Sequence, residues 1–364
     1  MRLIATIGAS GISRKHKYII ESKSYDSELS FMALSKAYNI DDIVVIGTKK
    51  SEESIQSILD LNPNIEMVVI ESDNVEDVFQ KSLEYIAKDT ILDLTQGYRH
   101  YPMLTLLASV FLQSNEFKNI KDIFYAQVED ENCQAYKESC SYRVTSLIKY
   151  LDIANMTRII NTFNKTLFTL EYSVNSDEFI KIRDGLTELT KDMLSNNFNR
   201  SKVKAQKIEE LVKKIIEDKS LSIIEEHLSH LKKELQIIQN LVRRKESQTL
   251  LNVSEYFLKK DILLHSVTLL YESMVAFLDE KIKNNPKCKD KKDTYQRRNC
   301  LKKSLGECKY VRNINKCREF SDYLFRIDKL RNTSAHAHTT GTYQESLKDE
   351  LLETIKFIKP IMAG

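Results

Sequence analysis

Five short runs of aliphatic residues recur through the first 130 positions: LIATIG (3–8), DIVVIG (42–47), EMVVIE (66–71), TILDLT (90–95) and DIFYAQV (122–128). Their apolar positions are continuous rather than alternating, which is how strands covered on both faces read. Between them lie SELSFMALSKAY (27–38), SEESIQSILDL (51–61), NVEDVFQKSLEYIAK (74–88) and YPMLTLLASVFLQS (101–114), each with apolar residues at helical spacing. Pro102 suits a first helical turn. The strand–helix repeat predicts a doubly wound, Rossmann-like parallel sheet over residues 1–145.

From about residue 145 the pattern carries no strand. Residues 204–244 show the apolar stripe and flanking charges of exposed amphipathic helices. The segment 254–282 is more apolar and predicts one long core helix, with partners at 319–332 and 346–362. The expected organisation is α/β plus all-α: a sheet domain (1–145), a helical connector (146–245) and a C-terminal helical bundle (246–364).

Composition supports this division. Only 8 Gly and 4 Pro among 364 residues leave little material for a turn-rich all-β fold, and 42% hydrophobic with 29% charged residues is a globular balance. No apolar run reaches the roughly 18–20 residues a membrane helix needs, so no membrane partner is expected. Six cysteines without a signal peptide predict reduced thiols and a cytoplasmic protein.

Charge adds a feature that hydropathy does not show. The net charge of +3 conceals a block, residues 281–318, holding 14 Lys/Arg against 3 Asp/Glu. This basic insertion (284–317) in an otherwise mildly acidic chain points to a polyanion close by. Within it Tyr295, Arg297 and Tyr310 are candidates for stacking on single-stranded bases. Cys288, Cys300, Cys308 and Cys317 lack any CxxC pair, which disfavours a structural zinc site, while their shared place in the basic insertion leaves zinc open; catalysis is expected to need no metal either way.

In an open parallel sheet, ligands bind at the carboxyl ends of the strands. Two loops there are rich in small and polar groups. The first, GASGIS (8–13), brings Gly8, Ala9, Ser10 and Gly11. The second, DLTQGYRH (93–100), gathers Thr95, Gln96, Gly97, Arg99 and His100 at the start of a helix, a natural anion seat. A nicotinamide or P-loop nucleotide is disfavoured. The first loop is not GxGxxG, the second strand ends VIGTKK rather than in an acid, and no GxxxxGK[ST] occurs.

Near the other end, LRNTSAHAH (330–338) sets Arg331 and Asn332 shortly before His336 and His338. On an unbroken helix Asn332 shares a face with His336, while Arg331 aligns better with His338.

Taken together these segments resemble the CARF–HEPN proteins, CRISPR-associated ancillary ribonucleases of type III systems. DLTQGYRHYPML resembles that family's DxTHG signature. VVIGTKKSEES (44–54), with Thr48, is similar to its second-strand segment, and RNTSAH (331–336) matches the Arg-x(4–6)-His motif of HEPN ribonucleases. One departure is plain: the histidine of DxTHG is Gln96 here.

The resemblance implies a CARF-type domain that senses cyclic oligoadenylate through Gly8, Ala9, Ser10, Gly11, Thr48, Thr95, Gln96, Gly97, Arg99 and His100. It requires no cofactor. A ring with internal two-fold symmetry favours a homodimer. It also implies a HEPN domain that cleaves single-stranded RNA. RNA carries its own nucleophile, the 2′-hydroxyl, so a base and a cation suffice without a metal. His336 is expected as the base, Arg331 as the phosphate clamp, Asn332 as an orienting group, and His338 as a substrate contact or an exposed neighbour. Products would carry 2′,3′-cyclic phosphate and 5′-hydroxyl ends. Two other readings stand beside this one: a catalytically silent, ligand-gated RNA-binding protein, and a toxin-type HEPN RNase. Ring size, four or six adenylates, is left open, as is turnover of the activator.

Overall fold

Side chains along the first strand, β1 (Arg2–Thr6), are buried from Leu3 onward, and successive residues feed different cores. Leu3, Ala5 and Ile7 pack with Phe31 and Leu34 of α1 (Ser30–Tyr38) and Ile55 of α2 (Lys49–Leu61). Ile4, with Val44 and Ile46 of β4 (Asp42–Thr48), faces Val78 of α3 (Val75–Tyr85) and Tyr101 and Ala108 of α4 (His100–Asn115). This is the period-two geometry of a strand with helices on both faces. The computed structural model describes every residue except 9–13, 72–73, 88, 116–119, 136, 218–221, 282–287, 289–293, 307–315, 336–340 and 364.

The remaining strands are β2 (His16–Ile20), β3 (Lys23–Ser27), β5 (Ile65–Ile70), β6 (Thr90–Asp93), β7 (Ile120–Val128) and β8 (Ser141–Ser146). They form one sheet in the order β3-β2-β8-β7-β6-β1-β4-β5. The five strands expected from the aliphatic runs are its parallel centre: β1 pairs with β4 and β6, β4 with β5, and β6 with β7. The sheet also extends beyond that expectation. β8 pairs antiparallel to β7, β2 joins β8, and β3 folds back antiparallel on β2. The β2–β3 turn sets Glu21 and Ser22 at φ 47° and 71°. Two consecutive positive-φ residues match the hairpin turn that Asn-Gly usually marks, and no glycine stands there to announce it.

The chain divides into two compact units, residues 1–159 with 170–181, and 160–169 with 182–364. Helices α5 (Ile148–Thr166) and α6 (Asp177–Leu194) each run from one into the other, followed by α7 (Phe198–Glu217) and α8 (Glu225–Leu241). The second unit ends in α9 (Glu246–Lys259), α10 (Leu263–Lys281), α11 (Thr294–Gly306), α12 (Cys317–Ala335) and α13 (Gly341–Ala363). Leu258, Leu270, Met274, Phe320, Leu324 and Leu351 are among the buried residues of one apolar core built by these helices.

Two expectations are corrected here. The single helix over 254–282 is a pair, α9 and α10, broken where Asp261 takes φ 59°. Ile262 N–H returns to Phe257 O at 2.9 Å, closing the end of α9 without glycine or proline. The reduced thiols are also not what the structure contains. Cys133 is bonded to Cys140 in the β7–β8 connection, and Cys288 to Cys300 at α11, with Cα separations of 5.9 and 5.6 Å. Pairing follows from which residues the fold brings within reach, which spacing alone does not reveal. Among the described residues no helix is long and apolar enough to cross a membrane.

Adjacent positions on α12 test this packing. Leu324 is fully buried and Phe325 is 52% exposed. Leu324→Ala is expected to lower the unfolding free energy by about 2–5 kcal/mol. Phe325→Ser should change it by about 0.5 kcal/mol or less. Urea titration of both variants measures the difference, and equal effects would contradict the register.

Candidate functional site

The first cluster lies at the carboxyl ends of β1, β4 and β6. Strand β6 ends in Asp93, whose side chain is 1% exposed. Its Oδ2 accepts from Ser30 Oγ at 2.5 Å. Its Oδ1 accepts from Thr95 N at 3.0 Å and Thr95 Oγ1 at 2.5 Å. The Thr95 hydroxyl in turn accepts from Ala126 N of β7 at 2.9 Å. Burial pushes the Asp93 carboxyl above its ordinary range, while the bonds from Ser30 and Thr95 pull the other way.

Beyond Thr95 the chain turns sharply. Gln96 O accepts from Thr6 Oγ1 at 2.5 Å. Gly97 sits at φ +111°, and a Cβ there would lie 2.9 Å from Thr6 Oγ1, so both conformation and space require glycine. Gly8 packs its backbone against Gly97. Gly47 lets β1 and β4 close up, since a Cβ on it would fall 2.7 Å from Ile7 Cγ2.

Past this turn Tyr98 and Arg99 are exposed, and Arg99 has no ion-pair partner among the described residues. His100 opens α4, its ring parallel to Tyr98 at 6.2 Å and edge-on to Tyr101 at 4.6 Å. The Gln96 side chain is half-buried, and its Oε1 has no hydrogen-bond partner. Thr48 is buried, and its hydroxyl caps α2 by accepting from Ser51 N at 3.3 Å. Ala9, Ser10 and Gly11 lie outside the described residues. The structure therefore brings Gly8, Thr95, Gln96, Gly97, Arg99 and His100 into one strand-end cluster and gives Thr48 a capping role beside it. An unpaired guanidinium beside the amino end of a long helix can receive an anion.

The second cluster surrounds Arg331 in the helical bundle. Its guanidinium lies 4.0 Å from the centre of the Tyr271 ring, 3.5 Å from Glu272 Oε1 and 3.2 Å from Asp328 Oδ1. The same two carboxylates hold α11. Arg298 meets Glu272 Oε2 at 2.5 Å and Lys302 meets Asp328 Oδ2 at 2.6 Å. A third contact joins Arg297 to Asp279 at 2.5 Å. Burial works against the charge on Lys302, but its bonds to Asp328 and Tyr271 outweigh this and raise its pKa.

Three cations thus share two half-buried carboxylates, leaving the group one positive charge in excess. Asn332 is exposed beside Arg331, and His336 and His338 lie outside the described residues. Arg297, expected to stack on bases, is engaged with its own chain. Tyr310 also lies outside the described residues. Arg331 and Lys302, both polar and partly exposed, are suited to holding a phosphate.

The sequence reading did not single out Asp93, Ser30, Glu272 or Asp328 as site residues. Asp328 stands one helical turn before Arg331, a spacing that could have flagged it. Ser30 and Glu272 meet their partners across 63 and 59 residues, where no local signal exists.

No protein-family model matches the chain, and no curated protein matches it by sequence. Among solved structures it is similar to Enterococcus italicus Csm6 bound to cyclic hexa-2′-fluoro-hexa-dAMP. The TM-score is 0.51 and the identity 12%, over 99% of this chain and 93% of that one. The likeness shows the fold: an α/β domain and a helical region joined in the Csm6 order.

The state of Asp93 gives a pH prediction. A carboxyl that binds its proton more tightly in the folded chain removes stability as pH rises from its unfolded value through its folded one. Asp93→Asn cannot ionise and keeps the shape. Its melting temperature, relative to the native chain, should therefore be higher at about pH 7 than at about pH 4. Thermal unfolding at both pH values checks this, and a difference independent of pH would overturn the assignment.

Proposed function

We propose that the chain is a metal-independent endoribonuclease of type III CRISPR defence, switched on by cyclic oligoadenylate. The observation that carries this reading is the fold. Along nearly its whole length the chain follows a Csm6 protein whose structure contains a cyclic hexanucleotide. The proposed division is a CARF-type sensor (1–145), a connector (146–245) and a HEPN ribonuclease domain (246–364), acting in the cytoplasm where transcripts are met.

In the sensor, phosphates of the ring would meet Arg99 and the amino end of α4, while Gln96 supplies a carboxamide to a base edge. Glutamine does not titrate, so activator turnover is not assigned to this position. The neighbour's ligand makes the six-membered ring the first to test.

In the ribonuclease domain Arg331 holds a phosphate oxygen. His336 removes the 2′-hydroxyl proton. The 2′-oxygen then bonds to phosphorus, the bond to the 5′-oxygen breaks, and that oxygen leaves with a proton as the 5′-hydroxyl. The other product end is a 2′,3′-cyclic phosphate. A second histidine from a partner copy would supply the leaving proton. The contacts of Arg331 to Glu272 and Asp328 are partly exposed and of moderate strength, so a substrate phosphate can replace them.

A homodimer is supported by α4. Met103, Leu107 and Phe111 recur every fourth residue and are 64%, 55% and 49% exposed. This stripe continues from the Asp93–His100 loop. A second copy on it would bring two loops to one two-fold axis, as a symmetric ring requires.

Two experiments test the reading. Single-stranded RNA incubated in chelator with the cyclic hexa- or tetra-adenylate should be cut. Arg331→Ala should slow cleavage by about 100-fold or more, and an all-2′-deoxy strand should survive. RNA binding without cleavage would favour the silent regulator, and activity indifferent to any ring would favour the toxin-type enzyme. For the dimer, Leu107→Asp should sediment as a monomer with an unchanged circular dichroism spectrum. A variant that still sediments as a dimer would remove α4 from the interface.

A further inference from the structure

A cavity of about 440 Å³ opens in the second unit between the end of α5, α8 and α9. Its volume is within the range of small-molecule sites. We infer that it binds a small phosphate ester of nucleotide size, and this does not rest on the ribonuclease reading.

At the base of the cavity both carboxylates are already engaged, by three lysines. Lys260 meets Glu234 at 2.5 Å and also donates to the Asn164 carbonyl. The Tyr256 hydroxyl donates to Glu234 Oε1 at 2.6 Å. Glu255 takes Lys359 at 2.6 Å and Lys259 at 3.2 Å. Burial acts to raise its pKa, but the two ammonium groups outweigh this and hold it low. These carboxylates are therefore not free to neutralise anything further.

The rim differs. Arg243 and Lys165 are exposed and line the cavity, and among the described residues neither has an ion-pair partner. Two uncompensated cations over a base that itself carries one positive charge in excess leave a site that attracts a dianion, as a phosphate monoester is.

The walls supply what a nucleoside needs. Asn252 gives one amide hydrogen to Leu241 O at 3.2 Å, leaving its oxygen as an acceptor. Asn240 lines the cavity with an exposed carboxamide, and the Oδ1 of Asn164 is buried without a hydrogen-bond partner. Ile237, 48% exposed, offers an apolar wall for a ring face. Cations for phosphate, carboxamides for heteroatoms and an aliphatic surface for the base converge in one cavity.

The test is calorimetric titration of the full chain with adenosine 5′-monophosphate, adenosine and inorganic phosphate. The nucleotide should bind, with adenosine and phosphate each weaker by about ten-fold or more. Replacing both rim cations, Arg243→Ala with Lys165→Ala, should weaken nucleotide binding by about ten-fold or more, with circular dichroism and melting temperature unchanged. The inference is overturned if the nucleotide does not bind at millimolar concentration. It is equally overturned if adenosine binds as tightly, or if the double variant binds as the native chain does, which would locate the ligand elsewhere.

Discussion

The loop between β6 and α4 takes its path from one buried carboxyl. Asp93 closes its strand by accepting from Ser30 on α1 and from Thr95 on its own loop, and Thr95 carries the connection to β7 through Ala126 N. Four elements thus meet through a side chain that water does not reach. With Thr95 held down and Gln96 O taken by Thr6, the chain can leave only through a left-handed residue, and Gly97 is that residue. The exposed run Tyr98–Arg99 follows from these constraints rather than from preferences of its own. An ionised carboxylate in that position loses more hydration than its hydrogen bonds return, which is why burial raises its pKa.

The cluster around Arg331 obeys the opposite rule. Glu272 and Asp328 are half-buried and shared, and none of Arg331, Arg298 and Lys302 has a carboxylate to itself. Pairs of this kind contribute about 0–1 kcal/mol each, because water competes for both partners. They position a guanidinium without locking it. The basic insertion is tied into the same group. Read as charge alone, residues 281–318 look like a free polycation. In the folded chain Arg297, Arg298 and Lys302 turn inward onto Asp279, Glu272 and Asp328. What the insertion contributes to the candidate centre is therefore structure as well as charge.

How far the sequence could be read depends on the range of each interaction. The parallel centre of the sheet was legible because strands buried on both faces must be continuously apolar, as β1 and β4 are. The hairpin β2–β3 was not, because the edge strand β3 is largely exposed, β2 is only partly covered, and its turn is Glu-Ser. The break at Asp261 was likewise hidden, since a lone aspartate in the left-handed region has no compositional mark. The Asp93–His100 loop was legible because its donors are consecutive. The partners that give it shape, Thr6 and Ser30, come from distant parts of the chain. Arg331 could be named from a motif, while Glu272 and Tyr271 could be found only once α10 and α12 were packed together.

Gln96 shows how the two levels combine. The resemblance sets a histidine at this position, and the substitution would matter if the side chain shaped the loop. The structure assigns the shaping to the backbone: the Gln96 carbonyl receives Thr6, and the neighbouring Gly97 makes the turn. A change from imidazole to carboxamide leaves that framework intact. It removes proton exchange near neutral pH, because an amide has no accessible pKa there. Within the described part of this loop the remaining imidazole is His100, set between Tyr98 and Tyr101 at the head of α4. The exposed Arg99 and the amino end of α4, the groups proposed to meet an anion, are untouched by the substitution, whereas acid–base chemistry at position 96 is removed by it.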